Sequence, residues 1–205
     1  MAESALSTPV LEPFLAFLEA PDASASHPTP LRAAAALGLG VAGAAAFAAT
    51  VGAALYDPTR VEIGGGEVAT AVPAFLLALP LAQLLCFPPL FLMGILRGKA
   101  ISPIRLATVV AAGPGAAGAW LGSVVPVFLL YTLSGPDAEG RHGLGAFAIG
   151  LLAVATGLLA VWTGARNLLR ARRAADLDAP GPMALLAHYV VAGWTTIILF
   201  LHLNA

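Results

Sequence analysis

Two stretches of the sequence, residues 38–43 and 113–118, match G-x-G-x-x-G, a spacing that can hold the phosphates of a dinucleotide. That chemistry needs a strand before the glycines and a helix whose N-terminus meets the pyrophosphate. Both stretches lie instead inside long apolar runs with no strand pattern before them. In lipid, glycines let two helix backbones approach closely. We therefore interpret a set of glycines as helix-packing positions: Gly38, Gly40, Gly43, Gly118 and Gly122.

Four histidines and one cysteine are the other side chains that could bind a metal or act in catalysis. His188 and His202 share one apolar run but lie 14 positions apart, about 21 Å along a helix, which is too far for one metal ion. No acidic residue lies in that run to orient a histidine as a base. We interpret His188 as a polar group near the membrane interface and Cys86 as a small core residue. The sequence predicts no catalytic residue, cofactor or metal site.

The composition of the sequence indicates an integral membrane protein. Of the 205 residues, 59% are hydrophobic and 10% are charged, against about 45–50% and about 25% in soluble domains. A net charge of −1 leaves no basic excess to bind a nucleic acid by counterion release. Soluble enzymes and nucleic-acid-binding proteins are therefore excluded. The abundance of alanine and glycine is typical of a GC-rich bacterium, and we predict the bacterial inner (cytoplasmic) membrane.

Five apolar runs are long enough, at about 20 residues or more, to cross the hydrocarbon core as helices. They cover residues 33–56, 68–96, 104–133, 143–165 and 182–203, and Arg105 at the start of the third is their only charged residue. In lipid, the backbone amides must be satisfied within each segment. The sequence thus predicts an all-α fold: a polytopic bundle of five transmembrane helices over residues 33–205, after a cytoplasmic tail at 1–32.

The distribution of basic residues predicts the orientation of this bundle, because Lys and Arg in short loops stay on the cytoplasmic side. With the N-terminus inside, eight of the ten basic residues are cytoplasmic and only Arg60 and Arg141 are outside. We predict a cytoplasmic N-terminus and a C-terminus outside.

Prolines occur within the second and third runs. Proline removes an amide donor and clashes with the preceding turn. Helices 2 and 3 are therefore predicted to be kinked or broken, and a pathway could pass these residues: Pro88, Pro89, Gly113, Pro114, Gly115 and Pro126. Broken helices bind substrates in many transporters. Apart from Arg105 at the start of the third run, the runs lack the charged groups that ion-coupled transport needs, which leaves a facilitative channel or transporter for a small solute as one alternative.

Charged segments flank the bundle. Leu11, Phe14, Leu15 and Leu18 follow a helical spacing in the tail, which predicts a short amphipathic helix with acidic residues off the apolar stripe. The loop after the fourth run contains a basic cytoplasmic contact: Arg166, Arg170, Arg172 and Arg173. Such clusters attract anionic head groups or acidic partners. One hypothesis is that the acidic tail docks on this loop; the alternatives are an undocked tail and arginines that only fix the topology.

The proline-rich stretches of the second run carry a family resemblance. Leu79-Pro80-Leu81 and Cys86-Phe87-Pro88-Pro89-Leu90-Phe91 are followed by Arg97-Gly98-Lys99 and a third run rich in glycine and proline. With five spans and a cytoplasmic tail, residues 31–205 resemble the Yip family of five-span membrane proteins, which in eukaryotes interact with Rab GTPases, and bacterial multi-span proteins that share this layout. The resemblance implies a membrane-organising or partner-binding role and assigns no site residue.

These observations together predict a non-enzymatic membrane protein that acts as a scaffold or partner-binding subunit of a membrane complex. The expected partners are the lipid bilayer and other membrane proteins, or further copies of the chain, with no nucleic acid. The runner-up is the facilitative channel or transporter that uses helices 2 and 3.

Overall fold

The computed structural model describes residues 26–55, 65–98, 100–134 and 144–203. Within these ranges the regular structure is entirely helical, in five helices. They are α1 Pro30–Leu55, α2 Gly65–Leu96, α3 Pro103–Ser134, α4 Leu144–Ala174 and α5 Pro182–Leu203. All five are long and apolar enough to cross a membrane. The predicted all-α fold with five such helices is confirmed, as expected of a multi-pass membrane protein.

Three helices begin with the same local signal. Pro30, Pro103 and Pro182 are the first residues of α1, α3 and α5, a position where the missing amide hydrogen costs nothing and the fixed φ suits a helix. At α1, the Thr29 hydroxyl also accepts a hydrogen bond from the Arg32 amide at 3.2 Å, which caps one of the free donors of the first turn. These prolines start helices, whereas those further along the chain lie within them.

The prolines inside α2 and α3 do not end either helix. α2 is continuous over Pro88 and Pro89, and α3 is continuous over Pro114 and Pro126. The break predicted at residues 113–115 is therefore not present. In lipid a broken helix would expose backbone groups that have no water to bond, so the uninterrupted helix is favoured despite each lost donor. A bend that leaves the helix intact stays a prediction.

The fourth helix is longer than the sequence analysis expected. It continues past residue 165 to Ala174, so Arg166, Arg170, Arg172 and Arg173 lie on its last turns and not in a loop, which corrects the prediction. Two features favour this extension: arginine is a good helix former, and cations near a helix C-terminus are stabilised by its dipole. Leu168 and Ala171 also continue the buried face of α4 through these turns.

The most extensive helix contact is between α1 and α3. α4 also packs against α3, while α2 lies mainly against α5 and α1, and neither α2 nor α5 contacts α3 extensively. The principal core joins α3, α4 and α5 through Leu106, Leu168 and Leu185, which are almost completely buried, and includes Ala36 of α1 and Leu90 of α2. This core lies where α1, α3 and α5 begin and α2 and α4 end.

We call that end of the bundle the basic end. Seven arginines lie there: Arg32, Arg97, Arg105, Arg166, Arg170, Arg172 and Arg173. The opposite end has a smaller core around Phe128 and Ile149. There the rings of Phe47 and Phe128 meet edge to face, with centroids 5.3 Å apart. The structure thus collects most of the described positive charge at one end of an apolar bundle.

The surface between the two ends is apolar. Large hydrophobic side chains are exposed along α2, α4 and α5, among them Leu84, Leu158 and Val190. By contrast, residues 108–116 of α3 are all buried. A soluble protein rarely exposes so large an apolar surface, but a bilayer is as apolar as these side chains. The arrangement suits a bundle surrounded by lipid, with small residues at its centre.

The C-terminus of α4 is closed by a pair of backbone hydrogen bonds. The amide of Asp176 donates to Arg173 O at 3.0 Å, and that of Leu177 donates to Arg172 O at 3.1 Å. This pattern is a Schellman motif, whose left-handed residue is usually glycine. Here it is Asp176, with φ 49°. Leu177 then packs in the same core as Ala171, which fixes the direction of the chain toward α5.

Substitutions at Asp176 test this turn. We expect Asp176→Gly to raise the free energy of unfolding by about 0.5–1 kcal/mol, because glycine adopts the left-handed region without steric cost. Asp176→Val should lower it by about 1–2 kcal/mol. Thermal unfolding of the detergent-solubilised protein provides the measurement. Asp176→Asn is the control for the lost charge, and a Val variant as stable as the wild type would contradict the assigned turn.

Candidate functional site

A seam of glycines brings the backbones of α1 and α3 into direct contact. A Cβ atom at Gly40 would lie 2.8 Å from the carbonyl oxygen of Pro114. A Cβ at Gly43 would collide with the carbonyl of Gly118, and one at Gly118 would collide with the backbone of Gly40. No larger residue fits without moving a helix. These contacts make α1 and α3 a single packed unit.

Two of the predicted packing glycines occupy looser positions. At Gly122 an added Cβ would stand 3.5 Å from the Cα of Gly43, an ordinary van der Waals contact. Gly38 is exposed. The structure therefore brings together four of the five glycines, and only Gly40, Gly43 and Gly118 are held without spare room.

Half of the residues predicted as a kink or pathway are enclosed by neighbouring helices, and half are exposed. Gly113, Pro114 and Gly115 are buried, with Gly115 beside Gly40. Pro88 and Pro89 of α2, and Pro126 of α3, are exposed on the apolar surface. These residues do not converge on one place, because α2 makes little contact with α3.

Gly113 forms part of a second close contact, which holds α5. The ring of Tyr189 lies between Gly113 of α3 and Gly164 of α4: a Cβ at Gly113 would be 3.0 Å from the ring, and one at Gly164 would collide with the Tyr189 hydroxyl. The two glycines thus form a slot for an aromatic side chain. Tyr189 was not among the residues singled out from the sequence. The feature that marks its position is the pair of glycines that it contacts, Gly113 and Gly164, more than the tyrosine itself.

A cluster of polar side chains lies between α2 and α5. His188 is only 8% exposed, and its Nε2 is 3.4 Å from Oε1 of Gln83. Close by, the Cys86 thiol is 3.8 Å from the Thr195 hydroxyl. The cluster contains Gln83, Cys86, His188 and Thr195, and we call it the α2–α5 polar cluster.

The structure adds a partner on a second helix to the prediction for His188. The His188 ring is buried and its Nε2 lies close to Gln83 of α2, while its place near the membrane interface stays a prediction. Together, the members of the cluster give donors and acceptors where lipid offers none. A histidine and a glutamine inside apolar runs were the available signal, since intramembrane polar groups are functional by default. Their pairing across α2 and α5 was not readable from spacing.

The cluster offers few ligands for a metal. It contributes one imidazole and one thiol, and the described residues hold no group of three or more His, Cys, Asp or Glu that could bind a metal ion. His202 lies at the far end of α5, where its Nδ1 is 3.0 Å from the Ile198 carbonyl. The two histidines of α5 are thus separate, in agreement with their spacing along the chain.

The four arginines predicted as a basic contact divide into two groups. Arg172 turns toward the chain that follows α4: its Nε donates to Pro180 O and its Nη2 to Asp178 O, both at 3.2 Å. Arg166, Arg170 and Arg173 are exposed. Within the part of the chain that the structure describes, none of these three makes a side-chain hydrogen bond or ion pair. Arg172 therefore stabilises the connection to α5, and the other three remain accessible.

The remaining predictions on charged segments fall outside the described residues. The predicted tail helix at residues 11–18 lies there, as do Lys99, Arg60 and Arg141. Arg97 is described, and its Nη1 would be 3.3 Å from a Cβ on Gly181. The end of α2 thus lies beside the start of α5, at the basic end.

Comparison with known proteins gives no identification: no family model, curated protein or solved structure matches this sequence. The resemblance to the Yip family stays a prediction.

Alanine substitutions in the glycine seam test the α1–α3 contact. We expect Gly118→Ala to lower the free energy of unfolding by about 1–3 kcal/mol, because its Cβ has no space against the backbone of Gly40. Gly122→Ala has room for the added methyl group and is the matched control. It should gain about 0.5–1 kcal/mol from the helix preference of alanine. Equal effects of both variants on thermal unfolding would contradict the seam.

A double-mutant cycle tests the α2–α5 polar cluster. Gln83→Leu and His188→Ala should be non-additive by about 0.6–2 kcal/mol, the range of interhelical hydrogen bonds in membranes. Reversible unfolding in mixed micelles measures each free energy. Thr50→Val is the control partner for Gln83→Leu, because the Thr50 hydroxyl donates to Ala46 O in its own helix at 2.6 Å. Additivity of the first pair would show that the contact contributes nothing.

Proposed function

We propose that this protein is a non-catalytic membrane scaffold: a partner-binding subunit that holds other membrane proteins, or further copies of itself, through its basic end. Its orientation in this proposal puts the N-terminus and the basic end in the cytoplasm and the C-terminus outside. The positive-inside rule supports that orientation, since seven described arginines gather at one end. The bacterial inner membrane is the proposed location.

The observation that carries the proposal is the closed contact between α1 and α3. A pathway through a broken third helix would need freed backbone groups at residues 113–115. Those residues are buried, with Gly40 of α1 against the Pro114 carbonyl and Tyr189 of α5 against Gly113. A centre filled backbone to backbone favours a rigid support over a passage. The exposed arginines at the basic end then supply the surface that a partner can recognise.

Crosslinking in native membranes tests this role. After detergent extraction, we expect the wild-type chain in complexes of defined mass, either with partner proteins or with itself. Charge reversal in Arg105→Glu/Arg173→Glu should remove them, because both arginines are exposed at the basic end. Arg105→Lys/Arg173→Lys keeps the charge and is the matched control. A chain that stays strictly monomeric and co-purifies with nothing would contradict the scaffold.

The α2–α5 polar cluster favours one alternative, a facilitative channel or transporter for a small solute. Bends at the prolines of α2 and α3 that leave the helices intact would belong to that function. Its discriminating test is the flux of glycerol or urea through liposomes that contain the purified chain. The scaffold predicts no flux above that of empty liposomes. Flux that changes with Gln83→Leu or Pro114→Ala would replace the scaffold by the transporter.

A further inference from the structure

One face of α4 changes from apolar to basic without interruption. Leu151, Leu158 and Trp162 are more than 60% exposed, and Arg166, Arg170 and Arg173 are exposed further along the helix. From Trp162 onward the spacing is i, i+4, i+8 and i+11, which keeps these side chains on one side of a helix. At 1.5 Å per residue, the guanidinium-bearing positions begin about 6 Å beyond Trp162.

The charges on this face are not neutralised by described neighbours. At the basic end, Asp176 and Asp178 are the only acidic residues in the part of the chain that the structure describes, against seven arginines. One of these arginines has partners within the chain, because Arg172 donates to two carbonyl oxygens of the α4–α5 connection. Arg166, Arg170 and Arg173 are left with donors directed outward, and we call them the α4 arginines.

The position of the α4 arginines limits what can reach them. Exposed leucines and a tryptophan on the same face identify the lipid-facing side of the bundle, since tryptophan favours the level of the head groups. A molecule on this face must place apolar chains beside Leu158 and Trp162 and a negative charge beside the arginines. Soluble anions have no apolar chains to place there. Guanidinium groups bind phosphate oxygens in a forked geometry.

We infer that this face of α4 is a binding site for an anionic phospholipid, whose acyl chains lie along Leu151, Leu158 and Trp162 and whose head-group phosphate binds the α4 arginines. The inference rests on the proposed function, because it uses the exposed arginines of the same basic end, and it names the ligand that they bind. A lipid bound there would join the bundle to a particular lipid environment, with Arg172 excluded from the site by its bonds to the backbone.

Lipid binding by the purified full-length chain in detergent tests the site. Native mass spectrometry counts bound lipids and gives their affinity, with phosphatidylglycerol as the probe and phosphatidylcholine as the neutral comparison. We expect phosphatidylglycerol to bind more tightly to the wild type. The variant Arg166→Gln/Arg170→Gln/Arg173→Gln should lose about 100-fold in that affinity, since each basic residue near the surface contributes to the attraction.

Two matched variants separate this site from general charge. Arg32→Gln/Arg105→Gln removes exposed or half-exposed arginines of other helices at the same end, and should change the affinity by no more than about threefold because more distant charges are screened. Arg166→Lys/Arg170→Lys/Arg173→Lys keeps the charge and should retain most binding. Thermal unfolding of each variant without lipid shows that it is folded.

Several outcomes would overturn the inference. They are equal binding of the two lipids, full binding by the glutamine variant, or an equal loss in the Arg32/Arg105 variant. Stabilisation of the chain by inorganic phosphate as strong as that by phosphatidylglycerol would assign the arginines to a soluble anion. A glutamine variant that keeps its lipids but loses the crosslinked complexes would assign them to a protein, which would overturn the lipid site and leave the scaffold standing.

Discussion

Backbone contact between α1 and α3 is the constraint on which the rest of the bundle depends. Gly118 fits against Gly40 only because neither has a side chain, and in lipid such close approach replaces the hydrophobic effect as the source of helix association. Once α1 and α3 are joined this closely, α3 becomes the centre of the molecule and its residues 108–116 are buried. Of the other three helices, α4 packs mainly against α3, whereas α2 lies against both α1 and α5.

The fifth helix is held by two neighbouring residues that face different partners. Tyr189 enters the slot between Gly113 and Gly164, and His188 bonds to Gln83 on α2. Adjacent positions on a helix point about 100° apart, so one turn can contact two neighbours at once. Shape fixes one contact and polarity the other. Both residues lie near the start of α5, at the basic end, and further along the helix Thr195 contacts Cys86 of α2.

The sequence predicts the helices better than it predicts their neighbours. Long apolar runs predict five helices of spanning length because the bilayer imposes one length and one backbone arrangement on each. The glycines pointed to close packing, although nothing in their spacing told Gly38 apart from Gly40. At Pro114 local steric reasoning predicted a break, yet α3 continues. The extension of α4 was missed because it depends on the core that Leu168 and Ala171 join beyond residue 165. The Gln83–His188 pair was missed because it depends on which helices become neighbours.

The division among the arginines of α4 shows how packing decides the use of charge. Arg172 lies between Ala171 and Arg173, yet only Arg172 bonds to the connection that follows. The Schellman turn at Asp176 folds the chain back so that Pro180 and Asp178 come beside this one position. Positions 166, 170 and 173 are exposed on another side of the helix. The same residue type therefore stabilises the fold at one position and remains exposed at three others, because helical periodicity places only Arg172 beside the connection that the turn folds back.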